Sequence, residues 1–282
     1  MMVSMLLGCG SEDPAGRLAD APPAVDAAPQ LDAAPPVDAA PGGDVGCVPT
    51  SPAAETCDRV DNDCDGLIDN VDVGGDGIYD CQRVLLLGGP GALPSSNFEQ
   101  WAHGNGSIVT RLADSTVTVD AALLASFDLV LIDRVVRLYT ADEAAALSGW
   151  VHGGGGVMAL SGYSGGSADL DNPNSLVAGM GLRFTGNLLN GPVTTFVSHP
   201  LTTGLTSVTF AGGFPVAVDP TAEQPVVVGQ AGAMTVAVAA SYGSGRIYLW
   251  GDEWVTFDSE WVGSAEIQQF WVDAFGWLGK LR

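Results

Sequence analysis

Short, nearly continuous apolar runs separated by amphipathic stretches organise the chain from Arg83 onward. Residues 83–88 (Arg-Val-Leu-Leu-Leu-Gly), 108–112, 128–133 (Asp-Leu-Val-Leu-Ile-Asp) and 156–160 have the pattern of strands buried on both faces of a parallel sheet. Between them, residues 96–103, 119–126 and 140–152 predict helices. Thr140 followed by Glu143 predicts a capping box, and the glycines at 153–156 end that helix. Further strands are predicted at 225–228, 235–239 and 246–250, with a closing amphipathic helix over 264–278, while residues 165–174 read as polar and flexible. Alternating strand and helix define the expected fold class: α/β, a doubly wound, mainly parallel sheet.

Before Arg83 that periodicity is missing. Residues 1–7 are almost wholly apolar and lead to Gly8-Cys9-Gly10. From Ser11 to Gly46 the chain is mostly Ala, Pro, Asp and Gly, with Asp20, Asp26, Asp32, Asp38 and Asp44 recurring every six residues. Proline removes donors, like charges repel and no aromatic side chain seeds a core, so this stretch is expected to be a disordered tether. At about 3.1 Å per residue in polyproline II it would reach roughly 110 Å. Four domains follow: 1–9, a signal with its acceptor cysteine; 10–46, the tether; 47–82, a cysteine-rich acidic module; and 83–282, the α/β domain. No apolar stretch approaches the roughly 18 residues of a membrane-spanning helix.

Charge sharpens this division. The chain has 33 acidic and 10 basic residues, a net charge of -23. Residues 1–82 hold 16 acidic and 2 basic residues, net -14, leaving -9 for the remainder. A surface this acidic argues against nucleic acid as a partner.

The module carries the most specific chemistry. Read from Asp61, the run Asp-Asn-Asp-Cys-Asp-Gly-Leu-Ile-Asp-Asn-Val-Asp places carboxylates at loop positions 1, 3, 5, 9 and 12, with glycine at position 6. That is the spacing of an EF-hand-type calcium loop, in which alternate side chains converge on the ion and glycine permits a sharp turn. The expected Ca2+ ligands are Asp61, Asp63, Asp65, the Leu67 carbonyl, Asp69 and Asp72, the last one methylene shorter than the usual glutamate. Cys47, Cys57, Cys64 and Cys81 form an even set in a small acidic module, which points to two disulfides. Three connectivities are possible; Cys57 with Cys64 and Cys47 with Cys81 is the preferred one.

Several motifs resemble known families. Leu6-Leu7-Gly8-Cys9 resembles a bacterial lipobox, which implies lipidation of Cys9, a membrane partner through that anchor and an outer-membrane lipoprotein of the cell envelope. The apolar run is shorter than usual and no basic residue precedes it. Glu55-Thr56-Cys57-Asp58-Arg59-Val60-Asp61-Asn62-Asp63-Cys64-Asp65-Gly66 resembles the MopE-type metal-binding motif of bacterial secreted proteins, with Arg59 where that family usually has glycine. In the α/β domain, Asp-Leu-Val-Leu-Ile, Leu-Ser-Gly-Trp-Val, Gly-Gly-Gly-Gly-Val-Met-Ala-Leu, His199-Pro200-Leu201-Thr202, Gly243-Ser244-Gly245-Arg246-Ile247 and a closing Phe-Gly-Trp-Leu resemble class I glutamine amidotransferase-like domains of the non-amidotransferase sort. Enzymes of that superfamily use a cysteine nucleophile with His and Glu; this chain has no cysteine after Cys81, so the resemblance implies a non-catalytic domain.

Binding by the α/β domain is the leading functional reading. Ligands in open α/β sheets gather beyond the carboxyl ends of strands, here the loops 88–91, 161–166 and 251–258. Ser164, Asp252, Glu253, Trp254 and Trp261 are the candidate binding residues, carboxylates beside aromatic faces suiting a glycan or a peptide. Two alternatives stand beside it. Gly162-Tyr163-Ser164-Gly165-Gly166 fits G-x-S-x-G, so Ser164, His199 and Asp252 or Glu253 could form a serine hydrolase triad. The flexible reading of 165–174 opposes that, because a nucleophile elbow runs into a helix. The second alternative is a structural spacer in a surface assembly.

Overall fold

The computed structural model describes residues 48–49, 55–58, 60–64, 69–90, 95–113, 116–162, 166–262 and 265–279. The signal with Cys9, the tether, Cys47, Asp65, Leu67 and Ser164 lie outside the described residues.

In chain order the strands are β1 (Arg83–Leu87), β2 (Ile108–Leu112), β3 (Leu129–Ile132), β4 (Gly156–Leu160), β5 (Leu182–Phe184), β6 (Leu189–Asn190), β7 (Thr195–Phe196), β8 (Ala211–Gly213), β9 (Val216–Val218), β10 (Glu223–Ala231), β11 (Met234–Tyr242) and β12 (Gly245–Trp250). The helices are α1 (Ser96–Gly104), α2 (Ala121–Leu124), α3 (Ala141–His152), α4 (Ala168–Val177) and α5 (Ala265–Leu278). Eight strands form one sheet in the order β2-β1-β3-β4-β12-β11-β10-β7. The first five are parallel, and β11, β10 and β7 extend the sheet antiparallel. Two small pairs, β5 with β9 and β6 with β8, lie outside it. The expected doubly wound, mainly parallel α/β sheet is therefore the fold.

Both faces of the central strands are covered, which is why β1, β3 and β4 read as unbroken apolar runs; β2, expected to be buried on both faces, lies at the sheet edge and is exposed or half-buried throughout. Val84 and Leu86 of β1 face one core, with Phe98 and Ala102 of α1 and Phe270, Trp271 and Phe275 of α5. Leu85 and Leu87 face the other, with Leu147 and Val151 of α3 and Leu176 and Val177 of α4. The first core is dense in aromatic rings: Phe98 and Trp271 lie 4.3 Å apart, and Trp250 and Phe270 4.9 Å. Among the described residues, no helix is long and apolar enough to cross a membrane.

Helix α3 is set by the predicted capping box. Thr140 Oγ1 accepts from the Glu143 amide, and Glu143 Oε2 accepts from the Thr140 amide at 2.9 Å. Glu143 does more than cap: it takes a two-point contact from Arg137 and accepts from the Val119 amide. The Arg137 guanidinium holds the Glu143 carboxyl down to about 2. The helix expected over 119–126 shrinks to the single turn of α2, capped by the Asp120 side chain.

Helix α4 corrects the flexible reading of 165–174. Its polar residues serve as clamps: Asn172 Nδ2 donates to the Val135 carbonyl, and Asn174 both donates to Phe184 O and accepts from Phe184 N at 2.8 Å. Pro173 sits inside the helix and cannot donate to the carbonyl of Asp169. Ser161 Oγ donates to that carbonyl instead, at 2.8 Å. The proline's missing hydrogen bond thus fastens the helix to the end of β4.

The acidic module continues into this fold. Ile78 is buried in the first aromatic core, and Tyr79, Cys81 and Gln82 are buried beside it. Cys57 pairs with Cys81, which corrects the preferred pairing of Cys57 with Cys64 and Cys47 with Cys81. Cys57 and Cys81 flank the acidic run, so their bond ties its entrance to a point two residues before β1, whereas Cys64, itself disulfide-bonded, sits inside the loop with a left-handed backbone (φ 64°).

Candidate functional site

Two regions concentrate chemistry. In the module, Glu55 holds the loop from inside. Its Oε1 accepts from the amides of Asn62 (2.7 Å) and Asp63 (3.0 Å), and its Oε2 from the amide of Asp69 (2.9 Å). Asn62 Oδ1 accepts in turn from the amide and hydroxyl of Thr56. This folding brings carboxylate oxygens of Glu55, Asp61 and Asp63 within 4.8 Å of one another. Hard carboxylate oxygens in such a group suit a calcium ion better than a soft metal.

The other expected ligands are placed differently. Asp69 accepts from the Asp58 amide at 2.9 Å, with Arg83 3.9 Å away. Asp72 accepts from the amides of Asp76 and Gly77, closing the next turn. Of the predicted set, Asp61 and Asp63 are grouped with Glu55, Asp69 and Asp72 accept from backbone amides, and Asp65 and Leu67 lie outside the described residues. Glu55 was legible in the motif, but its distance from the loop hid its role.

The second region is the carboxyl edge of the parallel sheet. Residues after β12 reach across it: Asp252 and Glu253 are both buried, 0% and 2% exposed. Asp252 accepts from the Ala211 amide at 2.5 Å and the Trp254 amide at 3.2 Å, and burial pushes its carboxyl up to about 8. Glu253 lies against the turn that follows β4. A Cβ on Gly162 would come within 2.1 Å of Glu253 Cδ, so a side chain there would force that carboxylate to move. Asp258 caps α1, accepting from the Asn97 amide at 2.7 Å and the Ser96 hydroxyl at 2.8 Å. That helix terminus already holds an anion, which leaves no seat there for a phosphate.

The aromatic candidates turn inward. Trp261 packs 5.5 Å from Trp101 and 6.2 Å from Phe98, and Trp254 lies 5.7 Å from Phe257; both are half-buried.

The histidines are at the other end of the molecule. His199 Nδ1 accepts from the Leu201 amide at 3.2 Å, and its ring lies 5.3 Å from Trp277 at the end of α5. Burial and the neighbouring Arg246 lower its pKa. Arg246 pairs in register with Gly156, the first residue of β4, whereas Asp252 and Glu253 follow Trp250, which pairs with the last. The six residues of β12 separate the two ends by about 17 Å. His103 lies in the last turn of α1 and His152 ends α3, so both also lie at the amino edge of the sheet. The structure therefore does not bring His199 together with Asp252 or Glu253, and the triad considered from the sequence is not assembled. The strand-turn-helix context of an elbow is nevertheless present, because α4 begins two residues after Gly166.

No protein-family model matches the sequence, and no curated protein matches it. Solved structures do resemble it. STM1381, a cytoplasmic protein from Salmonella typhimurium LT2, is 12% identical with a TM-score of 0.55, over 70% of this chain and 99% of its own. The mmIFT52 N-terminal domain is 14% identical with a TM-score of 0.55, over 69% and 96%. A ThuA-like protein from Bacteroides uniformis ATCC 8492 is 15% identical with a TM-score of 0.49, over 70% and 91%. Identities this low establish a shared α/β fold and nothing about activity.

Proposed function

We propose that this chain is a calcium-binding lipoprotein of the cell envelope whose amidotransferase-like α/β domain binds an extracellular ligand without catalysing a reaction on it. The observation that supports a binding role is the separation of the histidines from the buried carboxylates Asp252 and Glu253. With no cysteine after Cys81, the carboxyl edge has neither the superfamily's nucleophile nor a histidine base. In the module, Glu55, Asp61 and Asp63 would hold calcium, whose chemistry there is structural: it neutralises clustered carboxylates and fixes the loop. The lipobox resemblance and the proline-rich tether support display at the outer membrane.

The test uses the full chain. A fluorophosphonate probe is expected to leave it unlabelled; stoichiometric labelling that Ser164→Ala abolishes overturns the non-catalytic reading and restores a serine hydrolase. Calcium titration by calorimetry is expected to show binding in the millimolar range or tighter, lost in Asp61→Asn/Asp63→Asn. Heat identical in wild type and the double variant overturns the calcium assignment.

A further inference from the structure

The two edges of the large sheet are finished differently. At one end β7 has two residues, too short to template another strand. At the other, β2 runs five residues without proline or bulge, in unbroken register with β1 from Ile108 opposite Arg83 to Leu112 opposite Leu87. Sheet edges are normally guarded by prolines, bulges, lysines or a covering segment, because their free N–H and C=O groups accept another strand. The one charge on β2 is no such guard. The Arg111 guanidinium is held within its own molecule by Glu99 at 2.6 Å and Asp133 at 3.0 Å, so it neither repels nor attracts an approaching strand.

The main chain of β2 says what this edge can accept. The Ile108 amide donates to the Gln82 carbonyl at 2.8 Å, and the Leu112 carbonyl accepts from the Gly88 amide at 3.0 Å. Residues 108, 110 and 112 therefore turn their main-chain groups toward β1, while Val109 and Arg111 turn theirs outward, where they have no main-chain partner among the described residues. In an antiparallel pair, residues that exchange two hydrogen bonds alternate with residues that exchange none. A two-fold axis through Thr110 meets that rule with a second copy of β2. Val109 exchanges two bonds with the second copy's Arg111, Arg111 does the same with its Val109, and the two Thr110 residues face each other as the unbonded pair. The side chains agree with this register. Ile108, 48% exposed, comes opposite the second copy's Leu112, and the exposed Thr110 meets its equivalent, an apolar pair and a hydroxyl pair of the kind that stabilise sheets. No acidic residue lies on β2, so on this strand a chain of net charge -23 can meet its own copy without setting carboxylate against carboxylate. A foreign strand would have to supply this complement, whereas β2 already carries it.

We propose that β2 is the contact between two copies of this chain, paired antiparallel about Thr110 so that their eight-stranded sheets continue as one. The proposal is independent of the calcium and ligand-binding readings, and its failure would leave both untouched. Sedimentation velocity of the full chain is expected to show a shift from monomer to dimer across the micromolar range. Because the two-fold sets residue 110 against itself, Thr110→Lys and Thr110→Glu are each expected to weaken the dimer about tenfold or more through like charges placed directly opposite, with circular dichroism unchanged. An equimolar mixture of the two variants is expected to dimerise again, since only the mixed pair is complementary. A wild-type monomer throughout the range overturns the proposal and leaves the edge to a different strand. A dimer that persists in both variants puts the contact elsewhere and overturns it as well, and a mixture that stays monomeric overturns the two-fold through Thr110. Should either variant fail to fold, hydrogen exchange of the wild type at low and high concentration decides: slowing of the Val109 and Arg111 amides as concentration rises supports the pairing, and exchange at those amides that ignores concentration overturns it.

Discussion

Two buried carboxylates give the molecule opposing responses to pH. Asp252, pushed up to about 8 by burial, keeps its proton in the folded chain where the unfolded chain has lost it. Folding then takes up a proton between about pH 4 and 8, so this residue's contribution falls as pH rises through that window. Urea unfolding of Asp252→Asn across the window is expected to be flatter than wild type. Glu143, held to about 2 by Arg137, behaves in the reverse sense: its contribution is present above about pH 4.5 and is lost as pH falls toward 2. Glu143→Gln is expected to lower stability at neutral pH by about 1–3 kcal/mol and to blunt the acid limb. An acid limb unchanged in that variant would remove the Arg137 pairing from the account. Thr140 and Glu143 could be paired from sequence because capping is local; the burial of Asp252 could not, because it depends on Ala211 arriving from a distant segment.

At the scale of elements, the joint between β4 and α4 makes a sharp prediction. Ser161 and Pro173 act on one carbonyl, that of Asp169, the hydroxyl supplying what the proline withholds. Ser161→Ala alone is expected to cost about 1–3 kcal/mol by orphaning that acceptor. Adding Pro173→Ala restores an amide donor, so the double variant is expected to recover part of the loss in a thermal-unfolding cycle. Strictly additive effects would show that the hydroxyl and the proline are independent. The same joint explains what could be read in advance. Strand 156–160 was legible to the residue because both its faces are buried, whereas 108–112, at the sheet edge, was legible despite being exposed or half-buried throughout. Helix α4 was not, since its asparagines look like loop residues until Val135 and Phe184 are seen to receive them. The strands β5 to β9, of two or three residues each, are too short for any period to register.

For the molecule as a whole, the acidic module is more than an appendage. Ile78 shares the aromatic core, and the Cys57–Cys81 bond closes a loop with a sequence separation of 24. Replacing both cysteines with serine is expected to cost about 3 kcal/mol, read as a lower urea midpoint for the entire α/β unit. Chelation of calcium is expected to act more locally, increasing proteolysis within residues 47–82 while the α/β tryptophan fluorescence stays folded. Protease sensitivity unchanged by chelator would separate the module's order from the metal. The motif could be read from sequence as acidic and cysteine-rich, but its pairing could not, because spacing alone does not reveal which cysteine is carried to the start of β1.

The place of β12 in the sheet also has a temporal side. This strand, made of residues 245–250, lies between β4 and β11. Synthesis therefore delivers the central strand after every other strand, and until it arrives β4 has an unpaired apolar edge. Such edges invite aggregation, and contacts this distant in sequence form slowly. A chain that threads through a membrane before folding would keep that edge apart from its neighbours until the last strand emerges. Truncation before Trp250 should leave an aggregating half-sheet rather than a smaller folded domain.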